Sequence, residues 1–546
     1  MLPVTMRIRP TFLTSVLALA MPVCLAAEED KPAKPEAPPA EKKEGKADEK
    51  KEGKKPEADK PVVTSGKVTI GGKEIAYEAK AGTLPILKPD GKPSAQVFYT
   101  AYTMKDVKDV ATRPVTFCFN GGPGSSSVWL HLGAFGPKRV DLPADGLTPP
   151  LPPGGLVNNE FSLLDVTDLV FIDPVNTGFS RAEDPKNLSE FLGVQEDIAS
   201  VGEFMRLWVT REERWRSPKF IAGESYGGIR GGGLAEHLQQ RHRMYLNGIV
   251  IVSGLLDYAT LIPGPLNETP YLVGLPAMTA TAHYHKKLPA DLQADFKKAV
   301  AESRSFAFGE YASALLKGSD LTAAEREAVV KKLARLTGLE PKLIEEQELR
   351  IDSGVFRERL LRKEKLVLGA YDARVTGRDG DESENHPQIE PFMRVVGSIA
   401  AASMNAYLRE ELKYEKDLPY EVLAPQPNWN HGKGNSYTSV SGQLAEAIKQ
   451  NPHLKVLALV GWRDLVTPPD NMLLSVRQMH LPDELRGNIE FAEYESGHMM
   501  YTNRPDMEKM HADIAAFIAM QRFKVGLMPV IGACAFIGLV KQLALA

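Results

Sequence analysis

Cysteine is nearly missing from this chain: 3 residues of 546, at positions 24, 118 and 534. One of them lies in an apolar leader, so a fold stapled by disulfides is excluded and a buried core must hold the protein together. Charge of one sign is also lacking. Lys and Arg number 66 against 70 Asp and Glu, a net charge of -4, which gives no basis for binding nucleic acid or a strongly acidic partner. No apolar run is long enough to span a bilayer securely. The longest, VGLMPVIGACAFIGLV at 525–540, is 16 residues, short of the roughly 20 that a spanning helix needs. It leaves open a membrane anchor, a packed terminal helix or a lipid-facing contact. No Gly-Lys-Ser/Thr follows a glycine-rich turn, and no cluster of Cys and His has zinc spacing, so neither a phosphate loop nor a metal or cofactor is expected. The acidic stretch RDGDESENH (378–386) lacks the loop glycine and distal Glu of a calcium loop and reads as solvated.

What is present begins with a leader. Arg7 and Arg9 precede FLTSVLALAMPVCLAA, which ends in small residues before the polar run EEDK, the pattern of an export signal over residues 1–27. Pro22-Val23 before Cys24 fits lipid attachment poorly, and cleavage near Ala26 or Ala27 is expected. Residues 28–61 hold no Val, Ile, Leu, Met or aromatic residue. They cannot bury enough apolar area to offset the entropy of ordering, so a disordered linker is expected over 28–62. Alternation with Gly71-Gly72 marks a hairpin after that. Strand-like runs at 96–102, 115–120, 168–173 and around KFIAGES alternate with helix-like segments near 188–210 and 227–241. NGIVIVSG, LKVLALVG and NIEFAEYE continue the pattern, which predicts an α/β fold with a mostly parallel sheet. Residues 259–425 are rich in amphipathic helical pattern and interrupt it. The expected organisation is therefore a core over 63–258 and 426–523, a helical cap over 259–425, and an apolar tail over 524–546.

Gly223-Glu-Ser-Tyr-Gly227 has the Gly-x-Ser-x-Gly spacing of a strained strand-to-helix turn that lifts a serine hydroxyl above a sheet edge. With a strand before and a helix after, Ser225 is the candidate nucleophile. A hydroxyl needs a base, and the base an orienting acid. Of 11 histidines, His498 follows the last strand in a Gly-His loop; His480 and His511 sit on helix-like segments and fit less well. Asp464 directly follows the strand VLALVGW, at the carboxyl edge of the sheet. Asp470, further on and before a helix, reads as a cap. The strand-then-glycine turn FCFNGGPGSSS (117–127) can bring backbone N–H groups close to a developing oxyanion, together with the N–H of Tyr226.

FNGGPGSSS, DPVNTGFSRA, AGESYGG, VGWRDLVTPP and ESGHMMY resemble, in order, the motifs of the serine carboxypeptidase family, here in a cysteine-poor, bacterial-type form. The resemblance covers about residues 95–520. It implies an α/β-hydrolase fold with a helical cap inserted before the last core strands, and release of C-terminal residues from peptides through an acyl-enzyme at Ser225, with Asp464 and His498 completing the triad. It implies an oxyanion hole from the N–H groups of Gly122 and Tyr226, and binding of the substrate's terminal carboxylate by Asn120, Gly121 and Glu224. A carboxyl beside a bound carboxylate must keep its proton to donate, so activity biased to acidic pH is expected; the other reading of Glu224 is a structural acid beside the turn. Several positions depart from the family's pattern. Cys118 stands for Trp, Ala134 for a second acid, Ser125 for Cys and Asn176 for Gly, which thins the carboxylate-binding network. The expected partners are peptides with a free C-terminus, and not nucleic acid. Two rival readings remain: an acyltransferase or esterase using the same residues, and a non-catalytic envelope-associated binding protein.

Overall fold

Gly71 and Gly72 close the first turn. Val62–Ile70 (β1) and Lys73–Leu87 (β2) pair antiparallel with Ile70 opposite Lys73. Only a two-residue turn allows that register, and both glycines supply the positive φ it needs, 56° and 80°. Pro93–Met104 (β3) continues the antiparallel meander. The remaining strands are short and apolar: Val115–Phe119 (β4), Asp168–Ile172 (β5), Lys219–Glu224 (β6), Gly248–Val252 (β7), Lys455–Gly461 (β8) and Ile489–Tyr494 (β9). Strands buried on both faces carry near-continuous hydrophobic runs rather than alternation, as in VTFCF, DLVFI and GIVIV.

This computed structural model describes residues 60–378, 386–432 and 436–523. The leader, nearly all of the linker, the acidic loop at 379–385 and the tail at 524–546 lie outside the described residues. Across the main sheet the order is β1-β2-β3-β5-β4-β6-β7-β8-β9, with the two-residue strand Arg181–Ala182 pairing β3 off this path. From β5 to β9 every neighbour pair is parallel; β1, β2 and β3 are antiparallel additions. This mixed, mostly parallel sheet with helices on both faces is an α/β-hydrolase fold.

Successive side chains of one strand serve two cores. On β7, Val250 and Val252 face one hydrophobic cluster and Ile249 and Ile251 the other. The first cluster includes Met393–Glu410 (α6) and Arg504–Phe523 (α9). The second includes Val194–Arg211 (α1), Gly227–His242 (α2), Ser441–Gln450 (α7) and Pro469–Gln478 (α8). Helix α1 shows why: Val194, Ile198, Val201, Met205 and Trp208 are buried at three- and four-residue spacing. It begins six residues after the sequence pattern suggests, because a 3₁₀ segment, Pro185–Glu190, precedes it.

Between β7 and β8 the chain leaves the sheet. Thr269–Tyr284 (α3), Phe296–Phe306 (α4) and Ala323–Thr337 (α5) lead a helical insertion. Helix α5 opens on a capping box in which Thr322 and Glu325 satisfy each other's backbone N–H groups. The insertion has its own core of Leu275, Met278, Phe306, Leu333 and Phe356, and Leu465 of the sheet domain joins it. That places an insertion contact one residue from Asp464. A second corresponds to Asp470, which is not a cap. It is fully buried in the first turn of α8, where Arg304 of α4 donates to its two oxygens at 2.6 and 3.0 Å.

Candidate active site

Strands β4, β6, β7, β8 and β9 are parallel, so their carboxyl ends share one edge, where ligands of open α/β sheets bind. Asn120 follows β4, Ser225 follows β6, Ser253 follows β7, Asp464 lies three residues beyond β8 and His498 four beyond β9.

Ser225 holds φ at 59°, a left-handed conformation that a non-glycine residue adopts only where its surroundings over-determine it. Here its N–H donates to Val252 O at 3.0 Å and its carbonyl accepts from Gly228 N at 2.8 Å. Gly223 makes the tightness of this turn feasible: a Cβ there would lie 2.4 Å from Gly227 O. Ser225 is half-buried, and its Oγ makes no hydrogen bond among the described residues.

Asp464 and His498 are in direct contact: His498 Nδ1 lies 2.7 Å from Asp464 Oδ2, both side chains fully buried. Val466 N and Thr467 N donate to Asp464 Oδ1 at 2.8 and 2.9 Å, which holds the carboxylate in a loop turn. Burial pulls the His498 imidazole down, but the Asp464 carboxylate, by charge and hydrogen bond, and Glu224 behind it push it above its ordinary value. With Nδ1 turned to Asp464, Nε2 is the nitrogen left for proton transfer.

The glycine turn packs against the elbow. A Cβ on Gly121 would lie 2.5 Å from Tyr226 N and 2.9 Å from Ser225 Cβ, so only glycine fits. The N–H groups of Gly121, Gly122 and Tyr226 have no acceptor among the described residues. Arg230 on α2 fixes the turn from below. Its guanidinium donates to Asn120 O at 2.5 Å and to the Asp197 carboxylate at 2.8 Å, both ion-pair side chains being buried. From above, an extended strap out of the insertion crosses it: Ser126 N donates to Val422 O at 3.0 Å, and Ala424 N to Gly124 O at 2.8 Å.

Glu224 is 2% exposed. Burial raises its carboxyl from 4.5 to about 7; the Asp464 charge adds to the rise, while the His498 charge and hydrogen bonding from Tyr501 and Asn120 oppose it. Asn120 is 1% exposed. Its Oδ1 accepts from Leu130 N at 3.1 Å, and its Nδ2 lies close enough to Glu224 to favour the charged carboxyl without making a well-formed hydrogen bond. A buried amide donor and a neutral-leaning carboxyl thus stand side by side, next to the serine.

Sequence reasoning had not found four participants. Thr467 Oγ1 lies 2.7 Å from Ser253 O, 2.8 Å from Asp464 Oδ2 and 3.0 Å from His498 Nδ1. A hydroxyl three residues after a loop aspartate was the available signal. Tyr371 and Asp372 come from the insertion: His498 N donates to Tyr371 O at 2.6 Å, and Gly497 N to Asp372 Oδ2 at 3.2 Å. Tyr501, the fourth, donates to Glu224 Oε2 at 2.8 Å. Among the departures, Cys118 is buried in β4 as a free thiol, and Ala134 is buried in a π-helical segment, His131–Phe135.

The serine carboxypeptidase family profile matches residues 74–355, more than half of the chain. The chain belongs to the serine carboxypeptidase family. Among similar proteins, serine carboxypeptidase-like 36 of Arabidopsis thaliana is 30% identical over 186 residues, covering 33% of this chain and 35% of that one. Serine carboxypeptidase-like 20 of the same plant is 31% identical over 163 residues, 29% and 30% of the two chains. The chain thus spans about a third of the length of these relatives. The solved structure of the prohormone-processing carboxypeptidase Kex1(delta)p from Saccharomyces cerevisiae aligns with 81% of this chain and 91% of its own, at 16% identity and a TM-score of 0.46. No helix among the described residues is long and apolar enough to cross a membrane.

Proposed function

We propose that the chain is a serine-type carboxypeptidase that removes C-terminal residues from peptides. The observation that carries this is the buried pair beside the serine: Glu224, whose carboxyl is held up to about 7, and Asn120, whose Nδ2 lies beside it with no well-formed hydrogen bond. Neutral donors buried at this depth suit an acceptor such as a terminal carboxylate. A neutral carboxyl donates to it; an ionised one repels it.

In this reading His498 Nε2 takes the Ser225 proton as Oγ attacks the last peptide carbonyl. The carbonyl oxygen becomes an oxyanion that the Gly122 and Tyr226 N–H groups stabilise. His498 then gives its proton to the leaving nitrogen, the C-terminal amino acid departs, and the acyl group stays on Ser225. A water, deprotonated by His498, attacks the ester and frees the shortened peptide. Asp464 holds the imidazole throughout. Asn120, Gly121 and Glu224 hold the terminal carboxylate.

A second reading rests on Ala134. With one acid in the pocket where the resemblance implies two, the same acyl-enzyme could pass its acyl group to an alcohol as well as to water. We also place the enzyme outside the cytoplasm, on the strength of the leader at 1–27; membrane contact by the tail and the bacterial-type character rest on sequence alone. The test compares one peptide as free acid and as C-terminal amide. A marked preference for the acid is expected; equal cleavage of both sinks the carboxypeptidase reading and favours the esterase or transferase.

A further inference from the structure

One contact beside the serine joins residues 277 positions apart: the Tyr501 hydroxyl donates to Glu224 Oε2 at 2.8 Å. Both residues are buried. The ring reaches this place because the segment facing it is small. A Cβ at Gly133 would lie 2.6 Å from Tyr501 Cε2 and 3.1 Å from Cδ2, closer than two carbons approach, and the next residue is Ala134. The backbone there is tied down. Asn159 Nδ2 donates to Ala134 O at 2.7 Å and to Gly136 O at 2.8 Å, and Ser162 Oγ to Phe135 O at 2.7 Å. The small residues at 133 and 134 and the large one at 501 thus fill one volume between them.

A phenol has one proton to donate. Spent on Oε2, it makes that oxygen an acceptor, and a neutral Glu224 must then carry its own proton on Oε1. We propose that Tyr501 is a positioning residue that sets substrate selectivity: its hydroxyl directs the Glu224 proton to Oε1, from which the acid donates to the terminal carboxylate of a peptide. The proposal rests on the carboxypeptidase reading above. Where the resemblance implies a second acid, at Ala134, this chain has none; the group that donates to Glu224 is the Tyr501 hydroxyl, which stays neutral. Burial, first, and the neighbouring Glu224 both push its hydroxyl well above its ordinary value. Two buried acids would have to share a proton and titrate as a pair; a phenol and an acid leave only the acid to titrate. Asn120 Nδ2, buried beside Glu224 without a well-formed hydrogen bond, supplies the second neutral donor.

Tyr501→Phe removes the hydroxyl and keeps the ring against Gly133. The measurement is kcat and KM for one peptide as free acid and as C-terminal amide, for wild type and variant. The expected result is an acid-to-amide ratio of kcat/KM lowered about tenfold, the weight of one buried hydrogen bond, with the loss appearing in KM for the acid. Gly133→Ala forces the ring aside while leaving its hydroxyl in the molecule, and should lower the ratio in the same direction. If wild type prefers the acid and both variants keep that preference, the role of Tyr501 is overturned and the carboxypeptidase reading stands. If wild type shows no preference, the reading itself is overturned.

Discussion

Replacing Glu224 by Gln removes an ionisation while keeping a neutral side chain of the same shape that can donate. Glu224 faces His498, Asp464, Tyr501 and Asn120, and the Tyr371 hydroxyl also feels its charge. Burial dominates and lifts its carboxyl from 4.5 to about 7. The folded protein therefore keeps this proton up to about pH 7, whereas the unfolded chain releases it near 4.5. Its contribution to stability is complete below pH 4.5 and is lost as pH rises through 7. The gap corresponds to about 3 kcal/mol at full ionisation, at about 1.4 kcal/mol for each tenfold change in proton affinity. Glu224→Gln has no such loss. Denaturant unfolding of both proteins at pH 5 and pH 8.5 should show the variant gaining about 2 to 3 kcal/mol on wild type over that interval. In activity, kcat/KM of wild type on a free-acid peptide should fall about tenfold per pH unit above 7, as the donor is lost, while the variant stays level there. Parallel stability profiles across the interval would refute the reasoning, because Glu224 would then hold no extra proton in the folded state.

Two further outcomes follow from the same geometry. Arg230→Ala leaves the buried Asp197 without its cation and Asn120 O without its donor; it should cost about 3 to 5 kcal/mol in denaturant unfolding, and pairing it with Asp197→Leu should recover a large part. Thr467→Val removes the hydroxyl bridging Ser253, Asp464 and His498, and should lower kcat about tenfold with little change in KM, measured on an ester substrate so that carboxylate binding plays no part.

The elbow was legible because several local signals agreed. The apolar strand KFIAGE, the glycines around Ser225 and the helix that follows each demand the same sharp turn. Asp464 was legible for a similar reason, since a loop directly after a buried parallel strand lies at the edge where ligands bind. Tyr501 was not. Its ring meets Gly133 across 368 positions, and nothing near either residue announces the other. Tyr371 and Asp372 were hidden for another reason: Tyr371 meets the histidine segment through its backbone carbonyl, which leaves no trace in residue type, and the Asp372 carboxylate accepts from Gly497 N across 125 positions. Asp470 was misread because its position before a helix matches a cap, while the force that decided its place, a buried pair with Arg304 of the insertion, depends on tertiary packing. The same holds for the strap at 419–430, whose extended stretch crosses the glycine turn without any hydrophobic period to mark it.

The central claim is that Ser225 is acylated by peptides through their free C-terminal end. Mass spectrometry of a peptide mixture incubated with the purified protein, alongside Ser225→Ala, tests it most directly. The expected spectrum shows products shortened by single C-terminal residues, absent with the variant and absent when the same peptides carry a C-terminal amide. Internal cleavage, or C-terminal shortening that persists in Ser225→Ala, would contradict it.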